Sequence, residues 1–456
     1  MTHFDAIIIG AGQAGPPLAS RLASEDYKVA IVERKFFGGT CVNTGCTPTK
    51  AMVASAKVAH TVKHASAHGV IGASNFKIDF DQVKKRRDEI VMQSREGLET
   101  WMEDDENITV FKGQARFINN KALQVDGNQI QAEKIFINVG GRARIANHEE
   151  GLEYLTNSSI LNLDELPEHL VIIGGSYVGV EFAQMFRRFG CKVTIIEKGE
   201  YLLSKEDHDV SENVKDILEK EGIHIRTKAE CIYAKTSEEE GVEVEINCDD
   251  GDPAVSGSHL LYAVGRVPNT DDLGLENTDI EVDGHGYIKI DDYLNTTVEG
   301  VWALGDCNGK GAFTHTAYND FEIVENGLFG NGGKKVSDRI SCYALYMDPP
   351  LARVGMTAEE VIKKGIRALK AEMLMSKVAR ANEKGETEGF MKVIVDAESH
   401  LILGASILGV GADEIIHSII DVMYAKQPYT VMKNAVHIHP TVSELIPTML
   451  SNLKEI

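Results

Sequence analysis

The sequence predicts an α/β protein: two three-layer units of parallel strands and helices, followed by a C-terminal α+β unit. Three observations carry this. The apolar run Ala6-Ile7-Ile8-Ile9 leads into Gly10-Ala11-Gly12-Gln13-Ala14-Gly15, and His169-Leu170-Val171-Ile172-Ile173 leads into Gly174-Gly175-Ser176-Tyr177-Val178-Gly179. Each glycine turn precedes apolar residues at helical spacing and then a second apolar strand ending in an acid, Glu33 or Glu197. After residue 336 the pattern changes to strands mixed with helices. A pattern that recurs at this length is an internal repeat of one supersecondary unit.

In the first unit, Pro16 and Pro17 fall in the first helical turn, where a missing N–H is tolerated. Leu18, Leu22 and Ala23 continue the helix, and Val29-Ala30-Ile31-Val32 is the second strand. Strand, glycine turn, helix, strand and acid form a Rossmann-like dinucleotide site. Gly10, Gly12 and Gly15 permit the tight turn and let a pyrophosphate approach a helix N-terminus, while Glu33 accepts hydrogen bonds from a ribose. Residues 51–110 read as helical and charged, with Asp79 to Met102 as a surface helical hairpin. Short strands follow at Ile108 to Phe111, Ala122 to Val125 and Lys134 to Val139, the last ending in Gly140-Gly141.

The second unit repeats the pattern with Ser176 in the middle glycine position. Gly174 and Gly179 keep the turn. Glu197 suits the free ribose 2′-hydroxyl of NAD and repels the 2′-phosphate of NADP; the adjacent Lys198 moderates that preference. The expected organisation is 1–147 and 268–335 as the two parts of the first dinucleotide domain, 148–267 as the second, and 336–456 as the C-terminal domain.

Net charge is -22 over 456 residues, which argues against nucleic acid or an anionic membrane surface as a partner. No apolar run approaches the length of a membrane span, and the N-terminus enters a strand almost at once. A cytoplasmic location is expected. Seven scattered cysteines do not form a secreted disulfide framework.

Two of them stand apart in Gly38-Gly39-Thr40-Cys41-Val42-Asn43-Thr44-Gly45-Cys46-Thr47-Pro48-Thr49-Lys50. Pro48 marks the first turn of a helix, which puts Cys46 beside a helix N-terminus, where a thiolate is stabilised. Taken alone, the pair suits a structural disulfide or two buried thiols as well as a redox pair. Beside a dinucleotide site, redox chemistry is the better reading. Cys191, Cys231, Cys248, Cys307 and Cys342 read as small buried residues.

These motifs, with Ala263-Val264-Gly265-Arg266, Gly305-Asp306 and His439-Pro440-Thr441, resemble the flavoprotein disulfide reductases over nearly the full length. That family includes dihydrolipoyl dehydrogenase, glutathione reductase and mercuric reductase. The resemblance implies FAD held by Gly10, Gly12, Gly15, Glu33, Gly39, Thr40, Lys50, Gly141 and Asp306. It implies NAD(H), in preference to NADP(H), held by Gly174, Tyr177, Gly179, Glu197 and Gly265. Tyr177 matches the aromatic cover of a nicotinamide pocket, although helix packing explains it equally well. Lys50 would lie against the flavin, ion-paired to Glu181. Cys41 and Cys46 would form the redox disulfide, Cys46 toward the flavin and Cys41 toward substrate. His439 and Glu444 would be the proton-transfer dyad, serving the cysteines of the other subunit of a homodimer.

Electrons would pass from NADH through flavin and the cysteine pair to a small disulfide or reactive oxidant. The alternatives are a dihydrolipoyl dehydrogenase and a soft-metal reductase acting on Hg(II) or Cu(II). The C-terminus, Ser451-Asn452-Leu453-Lys454-Glu455-Ile456, lacks the cysteine pair on which mercuric reductase and large thioredoxin reductase depend, and Glu197 argues against glutathione reductase.

Overall fold

The computed structural model describes residues 1–72, 75–237, 241–247 and 252–456. The first sheet is parallel, in the order Val301–Ala303, Lys134–Ile137, Ala6–Ile9, Val29–Glu33 and Ile108–Lys112. Successive strand residues point to opposite faces. Ala6 and Ile8 therefore meet Leu18 and Leu22 of helix Gly15–Ala23. Ile7 and Ile9 face the other way, onto Phe117, Leu123 and Ile130. Those three belong to an antiparallel layer made by Ala115–Asn119, Ala122–Val125 and Asn128–Gln131. The unit has three layers, but the outer one is β, which explains why both faces of the central strands are apolar.

The second unit copies this plan. Its parallel sheet runs His224–Arg226, Lys192–Ile196, His169–Ile173, His259–Tyr262. Leu170 and Ile172 pack with Phe182 and Phe186 of helix Tyr177–Phe189, while Val171 and Ile173 pack with Val242, Val244 and Ile246 of a second antiparallel layer. The unit leaves and rejoins the first through Gly141–Ala143 paired antiparallel with Arg266–Pro268.

The C-terminal part is a six-stranded antiparallel sheet covered by helix Ala412–Tyr424. It is clamped to the second unit by buried charge. Lys392, 1% exposed, holds Asp207 at 2.7 Å and Asp209 at 2.6 Å. Arg353 pairs with Glu206 at 3.2 Å, and the Tyr343 hydroxyl donates to the same carboxylate.

Several expectations change in detail. Residues 79–102 do not form a hairpin. One helix, Phe80–Glu103, starts where Asp79 accepts from Gln82 N, and nothing in its sequence breaks it. It lies against helix Cys46–Lys63, where Arg86 donates to Ala51 O at 2.9 Å. The last helix is confined to Leu445–Leu450, because Leu453 leads instead into Lys454–Glu455, which joins the sheet edge. Cys191 and Cys307 are buried as expected, whereas Cys342 is half-buried on a cleft wall. Cys248 and the side chain of Cys231 lie outside the described residues.

Lys392→Ala leaves Asp207 buried without its cation. A loss of about 3 kcal/mol is expected, read as a lowered thermal unfolding midpoint of the full chain.

Candidate active site

Both glycine turns are built alike. Gly10 and Gly174 have φ of 103° and 111°, a region that favours glycine. A Cβ at Gly10 would collide with Asn138 O, and one at Gly174 with Ala263 O. A Cβ at Gly15 or Gly179 would strike the carbonyl of Gly10 or Gly174. The acids match as well. Glu33 accepts from Ala11 N at 2.9 Å and Lys35 N at 2.8 Å, and Glu197 accepts from Gly175 N and Gly199 N, both at 2.6 Å.

A groove of about 1360 Å³ opens at the first turn. It is larger than the ~300–1,000 Å³ of ordinary small-molecule sites, as an extended dinucleotide requires. Gly10, Gly12, Glu33, Gly39, Thr40, Gly141 and Asp306 line it. Gly39, with φ 58°, faces Gly12 so closely that a Cβ would lie 2.9 Å from Gly12 Cα. The backbone is thus bare where a pyrophosphate would lie, and these residues fit FAD. Gly15 lies behind the turn, outside the lining. Burial pushes the Asp306 carboxyl up, and Arg266, 3.5 Å away, opposes it.

Cys41, Cys46, Lys50 and Glu181 line the same groove. Cys41 lies in the short helix Gly39–Thr44, and Cys46 is the first residue of helix Cys46–Lys63. The two thiols are free and not joined as a disulfide. The neighbouring Cys41 thiol brings the Cys46 thiol down to about 6; burial opposes this, and Thr314 and Lys50 add to it. The Cys46 sulfur, with burial, pushes Cys41 far up. Lys50 donates to both oxygens of Glu181, at 3.0 and 2.8 Å, and Tyr346 N donates to Glu181 at 2.8 Å.

A second cleft, of about 530 Å³, adjoins the groove. Tyr177, Arg266, Asp306 and Phe313 line both. Burial raises the Tyr177 hydroxyl, and its ring lies 5.6 Å from that of Phe313. Gly174, Gly179, Glu197 and Gly265 line neither cleft. Gly174 and Gly179 belong to the turn around Ser176, which does line the second cleft, and Glu197 accepts from Gly175 N in that turn.

His439 and Glu444 are paired as expected, with Nδ1 2.9 Å from a carboxylate oxygen. They are absent from the cysteine groove. His439 is 74% exposed, with Nε2 left free by the carboxylate on Nδ1.

Sequence reasoning missed Thr314, Tyr346, Arg266 and Asp320. Arg266 stood inside a recognised motif and donates to Gly141 O. Asp320 is buried, accepts from Gly305 N at 2.7 Å, and so holds the turn before Asp306. Thr314 left only the weak signal of hydroxyl residues at a helix start. For Tyr346, whose contact is through backbone, there was no signal.

Fold and site together define a pyridine-nucleotide-linked disulfide oxidoreductase. Residues 4–320 match the pyridine nucleotide-disulphide oxidoreductase family, and residues 341–450 match its dimerisation domain. The chain belongs to this family and is an oxidoreductase of the flavoprotein disulfide reductase class, whose redox groups are FAD and a pyridine nucleotide. It is 37% identical over 465 aligned residues, covering 100% of both chains, to the probable pyridine nucleotide-disulfide oxidoreductase RclA of Escherichia coli strain K12. It is 31% identical to a dihydrolipoyl dehydrogenase of Zymomonas mobilis, over 97% of this chain and 96% of that one. A mercuric reductase of Streptomyces lividans is 32% identical, over 91% and 89%. The solved structure of HOCl-induced flavoprotein disulfide reductase RclA from Escherichia coli superposes with a TM-score of 0.89 at 36% identity, over 99% of this chain and 100% of that one. Among the described residues, no helix is long and apolar enough to cross a membrane.

In the reduced protein, ultraviolet thiolate absorbance should appear with a midpoint near pH 6, the anion lying above it, and should vanish in Cys46→Ser. A midpoint near the ordinary cysteine value would contradict the lowering of Cys46.

Proposed function

We propose that this protein is an NADH-dependent reductase that delivers electrons through the Cys41–Cys46 pair to a small disulfide or a reactive oxidant, working as a homodimer. The observation that carries the reading is one groove holding the bare glycine backbone, the Lys50–Glu181 pair and both thiols. The full-length likeness to an HOCl-induced disulfide reductase supports an oxidant or disulfide as acceptor.

Bound in the groove, FAD would supply two-electron transfer between a pyridine nucleotide and a disulfide. The residues do the rest. Lys50, held by Glu181, keeps positive charge at the groove wall beside the thiols. With the pair reduced, Cys41 attacks a substrate disulfide and forms a mixed disulfide, expelling one thiolate. Cys46, the lower of the two thiols, then attacks the Cys41 sulfur, releasing the second thiolate and restoring the intramolecular disulfide. Two electrons leave the protein, and two protons are needed by the products. Cys41 is held as a thiol, so its attack needs a base. His439 has a free Nε2 and a carboxylate behind it but lies outside this groove, so it would serve a second copy of the chain. The dimerisation domain supports that arrangement.

Glu197 supports NADH over NADPH. Its carboxylate, fixed by two backbone N–H groups, would repel a 2′-phosphate.

A second reading, reduction of a soft metal ion held by the two thiols, is favoured by one observation: the related RclA was also solved as a Cu(II) complex, with a TM-score of 0.89 at 35% identity.

Oxidation of NADH and NADPH against lipoamide, glutathione disulfide, hypothiocyanite, Hg(II) and Cu(II) tests these readings. NADH should exceed NADPH by about tenfold or more in kcat/KM, and Glu197→Arg should narrow the gap. His439→Ala should lower disulfide turnover by about 10²-fold or more while sparing metal reduction. Unchanged disulfide turnover in His439→Ala would remove the role given to that residue.

A further inference from the structure

The two thiols are chemically identical, yet the proposed reaction needs them to differ. Something must favour the anion on one sulfur. The nearest hydroxyl belongs to Thr314, whose Oγ1 lies 3.3 Å from Cys46 Sγ. The two residues are 268 positions apart in the chain, so the contact is a product of the fold.

Its placement is specific. Thr314 is the first residue of helix Thr314–Phe329, and Cys46 is the first residue of helix Cys46–Lys63. Two helix N-termini therefore meet at one sulfur, each bringing its positive end. Thr314 is fixed from both sides. Phe313 before it stacks on the rings of Tyr343, at 5.4 Å and 7°, and His315, at 5.4 Å and 12°. The His315 Nε2 is bonded to Cys342 O at 2.8 Å. The hydroxyl is thus presented by a braced segment.

Resting on the disulfide-reductase reading, we propose that Thr314 is the positioning residue that stabilises the anionic form of Cys46. Its O–H donates to the Cys46 thiolate. A hydrogen bond to an ionised acceptor is stronger than one to a neutral thiol, so the bond favours the charged form. Lys50 adds a longer-range attraction to the same sulfur, while Glu181 opposes it. Thr314 also acts on Cys41 in the same sense. There, the neighbouring Cys46 sulfur and burial prevail and keep the proton on Cys41. Cys46 is left as the standing anion and Cys41 as the sulfur that must be deprotonated to attack.

The test compares Thr314→Val, which keeps the shape and loses the hydroxyl, with Thr314→Ser, which keeps it. Both are made in the FAD-loaded Cys41→Ser protein, where Cys46 is the thiol of the pair. The readouts are the pH midpoint of ultraviolet thiolate absorbance and the pH dependence of the long-wavelength flavin band. Thr314→Val should raise the midpoint by about one pH unit, leaving about tenfold less anion below it. Thr314→Ser should stay within about 0.3 units of the parent. Equal midpoints in the parent and the Thr314→Val protein would overturn the proposal, as would a shift in Thr314→Ser as large as that in Thr314→Val. The disulfide-reductase reading fails separately, if Cys46→Ser alone keeps full NADH-driven disulfide reduction.

Discussion

Glu181 is the point on which the site's geometry turns. It is 5% exposed and belongs to the helix that follows the second glycine turn. It accepts both bonds from Lys50, four residues beyond Cys46, and one from Tyr346 N in the C-terminal part. One buried carboxylate thus joins three segments distant in sequence. A buried carboxylate is tolerated only when its charge is matched. Lys50 supplies the charge, so the helix carrying Cys46 is held in register with the second unit. The ammonium in turn lies 4.9 Å from the Tyr346 ring centroid, a second contact with the same C-terminal segment.

The two dinucleotide turns show how one physical solution serves twice. In each, a positive-φ glycine sits under a neighbouring carbonyl, a second glycine lets helix and turn touch, and an acid at the next strand end accepts backbone N–H groups. The differences lie in what surrounds them. The first turn opens into the long groove with the cysteines, and the second stands beside the smaller cleft, with Tyr177 lining both. Ser176, in place of a glycine, has extended backbone and starts the helix without strain.

Much of this was readable from local pattern. The central strands are unbroken apolar runs, and the glycine spacing has a steric meaning that the structure bears out at Gly10, Gly15, Gly174 and Gly179. Pro48 correctly marked a helix beginning close to Cys46. The Lys50–Glu181 and His439–Glu444 pairs were legible only through resemblance, because an isolated charge carries no record of its partner. Thr314 beside Cys46, and Glu206, Asp207 and Asp209 against Arg353 and Lys392, were illegible for the same reason. The outer β-layers were missed as layers because their strands are half-polar. The 80–103 helix was misread because its sparse apolar residues gave no sense of its continuity.

The antiparallel ribbon of Gly141–Ala143 and Arg266–Pro268 makes the second unit an insertion whose two ends lie side by side. The first sheet closes over the gap, since Lys134–Ile137 pairs directly with Val301–Ala303. Such a unit is a cassette on a two-strand stalk, and replacing it would not shift the register of the sheet below. What ties it down is lateral: Glu181 to Lys50 and Tyr346, and Glu206, Asp207 and Asp209 to the C-terminal sheet. Sequence can drift within the cassette, as long as those four acids keep their places.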